Sequence, residues 1–262
     1  MRVEYIGHSG VLVELPNTNL LFDVIAFPQV TSDPLRSLQH DVGNMPHIDM
    51  SKDTVILASH SHGDHYAEQI WTLRHSFPHI HYIISKDIPF SSGVRKRLDI
   101  TGEDMDRITR VRGYSSSDIT LSDNHILHLQ TIPATDEGVA FLVKVDGRII
   151  YHAGDHHLWV WEGNTAKQND DMREVFLRTL SRLELDDSEK IDVAFLLLDG
   201  RLESTAYEGM DTYIEMLPLH HIIPIHQWKN YGLTDSYISE RKLPSYITLH
   251  KVTGENCSFT LE

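Results

Sequence analysis

Six consecutive residues, His60-Ser61-His62-Gly63-Asp64-His65, carry four side chains that can bind a metal ion. On a nearly extended chain, side chains two apart point the same way, so His60 and His62 can close on one ion. Gly63 permits a sharp turn, which aims Asp64 and His65 at a neighbouring point where a second ion can sit. Imidazole with carboxylate suits zinc, manganese or iron. The chain has 18 histidines, so an isolated pair would carry little information. Four ligands in six residues, directly after an apolar run, is a pattern expected of a metal site.

The elements around this stretch explain how it is aimed. Residues 54–59 form a short apolar run that reads as a buried strand, and residues 66–76 read as a helix stopped near Pro78. The same strand-then-carboxylate logic recurs at Tyr151-His152-Ala153-Gly154-Asp155. A third strand, Ile222-Ile223-Pro224-Ile225, ends at His226.

The His60–His65 stretch resembles the HxHxDH signature of the metallo-β-lactamase fold, and the later landmarks follow in that family's order over nearly the whole chain. The resemblance implies an α+β protein, a four-layer αββα sandwich of two similar halves, as a single domain spanning 1–262. It implies that Asp155 bridges two metal ions. It implies that His226 completes the second site with Asp64, His65 and Asp155, and that Asp23, at the end of an early strand, lies near the metals. The Gly7-His8-Ser9-Gly10 opening and the Tyr151–Asp155 strand are similar to the branch containing ascorbate-6-phosphate lactonase and related phosphodiesterases. The sequence after Asp155 resembles that of uncharacterised bacterial members with a Trp-rich stretch there.

The chain departs from the family at one place. The family supplies a third histidine to the first site from a loop before the bridging aspartate. The matching stretch, residues 131–138, has none. Asp136 is the nearest replacement, with Glu137 behind it and Thr135 as a water holder. A carboxylate in place of an imidazole hardens the site and shifts its preference towards manganese or iron. Three other residues are candidates for substrate contact. His8 sits in a loop bracketed by glycines. His156, with His157, follows the bridging aspartate, where Trp159 and Trp161 can wall a pocket. Arg201, after the buried strand 192–198, can grip an anion with two prongs or simply pair with Asp199.

The rest of the chain reads as strands at 2–6, 11–15, 20–23, 80–84, 108–111, 118–121, 125–131, 139–145, 148–152 and 221–225. Helices are expected at 169–185 and 207–217, and a closing hairpin around Gly254-Glu255-Asn256 in the tail 245–261. Asp146-Gly147 marks a tight hairpin. Residues 26–53 read as a long loop over the active-site face. The basic run 94–98 is followed closely by acids and reads as a solvated helix face.

Composition bounds the function. A net charge of −15 argues against a nucleic-acid backbone as main partner. The single cysteine, Cys257, excludes an intrachain disulfide framework and a Cys-rich zinc module. No apolar run approaches the ~20 residues needed to span a bilayer. The expectation is a cytoplasmic protein, as monomer or homo-oligomer. It is expected to be a binuclear metal-dependent hydrolase holding two divalent ions (Zn, Mn or Fe) and a bridging water, with Asp64 orienting the water and taking its proton. Its substrate is expected to be a small, anionic ester, lactone or phosphodiester. The rival reading is a non-catalytic or regulatory metal-binding module of the same fold.

Overall fold

The structure is a computed structural model and describes residues 1–27 and 42–262. Two seven-stranded sheets pack face to face. The first contains β1 (Arg2–Gly7), β2 (Gly10–Glu14), β3 (Thr18–Phe22), β4 (Asp53–Ala58), β5 (Ile80–Ser85) and β6 (Ile108–Val111). The second contains β7 (Ser116–Thr120), β8 (Ile126–Pro133), β9 (Val139–Val145), β10 (Arg148–His152), β11 (Ile191–Leu197), β12 (Leu219–Ile225) and β13 (Thr248–Leu249). The last strand, β14 (Cys257–Thr260), returns to the first sheet beside β1.

Both sheets follow one plan. An antiparallel meander (β1-β2-β3, and β7-β8-β9-β10) is extended by parallel strands (β4-β5-β6, and β11-β12-β13). The alternation of strand side chains sorts the core. On β4, Val55 and Leu57 join the core shared by both sheets, while Ile56 and Ala58 face a second cluster containing Ile70 and Trp71. Phe22 and Leu21 divide in the same way on β3.

Among the described residues there are four α-helices: α1 (Ser92–Arg97), α2 (Ala166–Leu180), α3 (Glu208–Met216) and α4 (Leu233–Glu240). α2 packs on β8 and α3 on β11. α2 starts three residues before the expected 169, because Thr165 and Gln168 form a reciprocal capping box. The basic run lies on α1, which buries no residue.

Two local expectations are corrected. The segment after the metal motif is a 3-10 winding, Glu68–His75, whose consecutive Ile70 and Trp71 are both buried, rather than an α-helix. The tail is not a hairpin: β13 pairs with β12 in one sheet and β14 with β1 in the other. Residues 28–41 of the long loop lie outside the described residues, and 42–52 carry no helix or strand.

Candidate metal centre

The ends of β3, β4, β10, β11 and β12 and the β1–β2 turn meet at one rim of the sandwich. Asp23 follows β3, residues 59–65 follow β4, Asp155 lies just past β10, Asp199 past β11, and His226 follows β12. His8 occupies the β1–β2 turn. His8, Asp23 and His226 all hold left-handed backbones, with φ of 50°, 43° and 61°. Non-glycine residues take up that conformation at a cost, and such strain collects at functional sites.

Two groups of donor atoms converge there, each within 4.8 Å. One is His60, His62 and Asp155; the other is His8, Asp64, His65 and His226. Asp155 stands between them. Its Oδ2 is 3.4 Å from His60 Nε2, and its Oδ1 is 3.1 Å from His65 Nε2 and 3.6 Å from His226 Nε2. Asp64 Oδ2 lies 3.2 Å from His8 Nε2, 3.7 Å from His226 Nε2 and 3.8 Å from His65 Nε2. Two donors about 2.1 Å from one ion, at roughly right-angle to tetrahedral spacing, lie about 3.0–3.4 Å apart, and half of these separations fall in that range.

A second layer fixes how three of the histidines face. His65 Nδ1 donates to Asp23 Oδ2 at 2.8 Å. His226 Nδ1 donates to Asp199 Oδ2 at 3.0 Å. His60 Nδ1 donates to Ser59 Oγ at 2.9 Å, and that hydroxyl donates to Asp23 Oδ2 at 2.6 Å. Each ring therefore turns Nε2 to the centre, the tautomer a metal ligand needs. His60 Nε2, His65 Nε2 and Asp155 Oδ1 are buried and make no hydrogen bond. Buried polar atoms are ordinarily satisfied, so these three atoms, aimed at common points, fit a cation.

The electrostatics agree. Burial would raise the carboxyl pKa of Asp155, but the charges of His65 and His226 and the close approach of the His60 and His65 rings hold it far below the usual range. Burial acts the same way on Asp64, where the neighbouring His226 and His8 rings outweigh it. Burial pulls His226 down, yet Asp155, Asp199 and Asp64 push it up to about 9. His65 is likewise raised against burial, by Asp155 and Asp23. Anionic acids hold protons on the rings where an ion would displace them.

Two glycines let the loops approach. A Cβ on Gly138 (φ +75°) would fall 2.1 Å from Ser59 O and 2.5 Å from His60 Cβ. A Cβ on Gly154 (φ +53°) would fall 2.7 Å from Val139 O. Both loops thereby lie directly on the strand end that carries His60.

The centre opens into a cavity of about 510 Å³, lined in part by Asp136, Trp159, Trp161, Met172, Arg201 and Trp228. The Trp159 and Trp161 rings are stacked within 7° of parallel. Arg201 pairs with Asp199 (Nη2–Oδ2 2.5 Å) and lies 4.2 Å over the Trp228 ring. Of the two expectations for Arg201, the pairing with Asp199 is present, and the side chain also lines the cavity. Asp136 is exposed at the cavity wall, whereas Glu137 Oε2 contacts His62 Nε2 at 2.8 Å.

His156 is a correction. It is wholly buried, with Nδ1 bonded to Tyr213 Oη at 2.6 Å and Nε2 to Thr179 Oγ1 at 2.7 Å, so neither nitrogen is offered to a substrate. His157 is also buried, packed against Gly209 of α3. His8 is more central than a pocket-lining residue, because it converges with three donors. Asp199, holding His226, Arg201 and Trp228 Nε1 together, was not assigned that role from sequence. The available signal was its place directly after the apolar run 192–198.

No family model matches the chain. It is 27% identical over 164 residues to a UPF0173 metal-dependent hydrolase of Bacillus velezensis, covering 61% of this chain and 64% of that protein. The chain therefore spans just under two thirds of that relative's length. A protein of the same description from Thermococcus kodakarensis is 24% identical over 233 residues, covering 86% of this chain and 84% of the relative. The fold is an α+β sandwich of two mixed sheets. Among solved structures, the diiron β-hydroxylase CmlA of Streptomyces venezuelae superposes with a TM-score of 0.59 at 13% identity, over 99% of this chain and 54% of that one. An isothiocyanate hydrolase from Delia radicum gut bacteria gives 0.53 at 12% identity, over 100% and 99%. At such identities the likeness is one of fold, and the fold hosts both hydrolysis and oxygen chemistry.

Proposed function

We propose that the chain is a metal-dependent hydrolase with two metal positions, acting on a small, anionic ester, lactone or phosphodiester. The observation that carries this reading is the pair of convergent donor sets meeting at Asp155, on the wall of one cavity. The likeness to proteins described as metal-dependent hydrolases supports the reaction class.

His60, His62 and Asp155 would hold one ion; Asp64, His65 and His226, with His8 beside Asp64, the other, with Asp155 between them. When bound, divalent ions supply a more acidic water and a Lewis acid for the charge that develops on the bond under attack. The chain's own residues do the rest. Asp64, kept anionic by His226 and His8, would accept a hydrogen bond from the attacking water and orient it. Arg201, braced by Asp199 and Trp228, holds the anionic group of the substrate. Trp159, Trp161 and Trp228 wall the cavity and limit water. Asp136 lines the same wall.

The test is the metal content of protein purified without chelator, with turnover of lactones, aryl esters and bis(p-nitrophenyl) phosphate after adding manganese, iron or zinc. Two ions per chain and metal-dependent hydrolysis are expected. Fully loaded protein that turns over none of the three classes would overturn the hydrolase reading.

A further inference from the structure

We propose that Glu137 is the fourth donor of the first metal position, and that the two positions are consequently unequal, the second filling before the first. This rests on the two-position reading above.

The donor sets differ in strength. Four side chains converge on the second position, three of them imidazoles, all but Asp64 fully buried. Among the described residues three converge on the first, and His62 there is half exposed. Glu137 approaches that weaker set from the solvent side, its Oε2 2.8 Å from His62 Nε2. Two ligands of one ion sit at nearly that separation.

The backbone that delivers Glu137 is fixed against both neighbours of the position. Val139 N donates to Ser59 O at 3.1 Å, and Ala134 N to Gly138 O at 3.1 Å, closing the loop. Gly138 presses on the His60 Cβ, with no room for a side chain. Thr135 Oγ1 accepts from His157 N at 2.8 Å and donates to His157 O, tying the loop to the turn after Asp155. Residue 137 thus sits between the segments bearing His60 and Asp155. Its side chain is 41% exposed. Asp136, one residue earlier, makes no hydrogen bond or ion pair among the described residues and faces the open cavity.

The chemistry follows from the donors. The first position offers two imidazoles and two carboxylates, a harder set that favours manganese or iron. The second offers buried imidazoles with their Nδ1 atoms already held for His65 and His226, so little is spent on ordering them.

The experiment is a stepwise Mn²⁺ titration of the dialysed full-length chain, followed by calorimetry and by the six-line spin resonance signal of free Mn²⁺. Two classes of one equivalent each are expected. Glu137→Gln should weaken the looser class about tenfold or more and leave the tighter class unchanged. Asp136→Asn should change neither. Thermal unfolding of both variants checks that they fold. The proposal is overturned if Glu137→Gln binds both equivalents as the parent does, if Asp136→Asn is the variant that loses the looser class, or if the parent binds one equivalent only. A protein that shows the Glu137-dependent class yet hydrolyses nothing would end the hydrolase reading and leave Glu137 in its place.

Discussion

Asp23 takes the Nδ1 proton of His65 at 2.8 Å and so turns the opposite ring nitrogen towards Asp155, 3.1 Å away. The same carboxylate reaches His60 through the Ser59 hydroxyl. One buried acid therefore orients residues of both candidate donor sets. Asp23→Asn keeps the shape and tolerates φ 43°, but it cannot accept as an anion. Metal retained after dialysis against a chelator, read by elemental analysis, should fall with an affinity loss of about 10- to 100-fold. Unchanged retention would remove Asp23 from this role.

Metal binding should release protons. With its pKa raised to about 9, His226 is protonated at pH 7 in the metal-free protein, and its Nε2 must lose that proton to donate. The sign is fixed: affinity rises as pH climbs towards 9 and falls below it, by up to about tenfold per pH unit for each proton released. Calorimetry in two buffers of different ionisation enthalpy reads the proton count. A count of zero at pH 7 would contradict the raised His226.

Arg201 predicts selectivity. Lysine keeps the charge but loses the planar fork and the stack on Trp228. Arg201→Lys should raise KM for anionic substrates about tenfold, leave kcat near the parent value and leave neutral analogues untouched. An equal loss on charged and neutral substrates would mean that Arg201 serves only to brace Asp199.

His156 predicts acid lability. Burial lowers its pKa to about 3, against an ordinary value of about 6.5 in the unfolded chain. Between those values the unfolded chain binds a proton that the folded chain refuses. Stability is therefore full above about pH 6.5 and declines as pH falls towards 3, by up to about 1.4 kcal/mol per pH unit for this group. Urea unfolding of His156→Gln across pH 7 to 4 should show a shallower slope than the parent; equal slopes would refute the buried neutral ring.

The candidate ligands were legible as a cluster because their spacing is local. His60, His62, Asp64 and His65 follow one strand, and the backbone period alone aims them. Asp155 and His226 repeat that arrangement at β10 and β12. What was not legible depends on which strands become neighbours. Asp199 supports His226 because β11 lies beside β12, a pairing no local pattern states. The turn residues 254–256 read as a hairpin, yet the chain there passes from one sheet to the other. His156 stands next to a ligand in sequence, but the turn after β10 sends it inward to Tyr213 and Thr179. Glu137 and Asp136 are adjacent, and only the three-dimensional path of their loop separates their surroundings.

The chain crosses between the sheets at both lateral edges, from β6 to β7 and from β13 to β14. The strand-end rim is closed differently, because its donors come from both halves: His8, His60, His62, Asp64 and His65 from one, Asp155 and His226 from the other. An ion there would act as a clasp between halves already hinged along their sides. Ligation worth about 2.7 kcal/mol at a hundred times its dissociation constant would show as slower amide exchange at that rim. Chelation would then loosen the clasp while the hinges keep the sandwich shut.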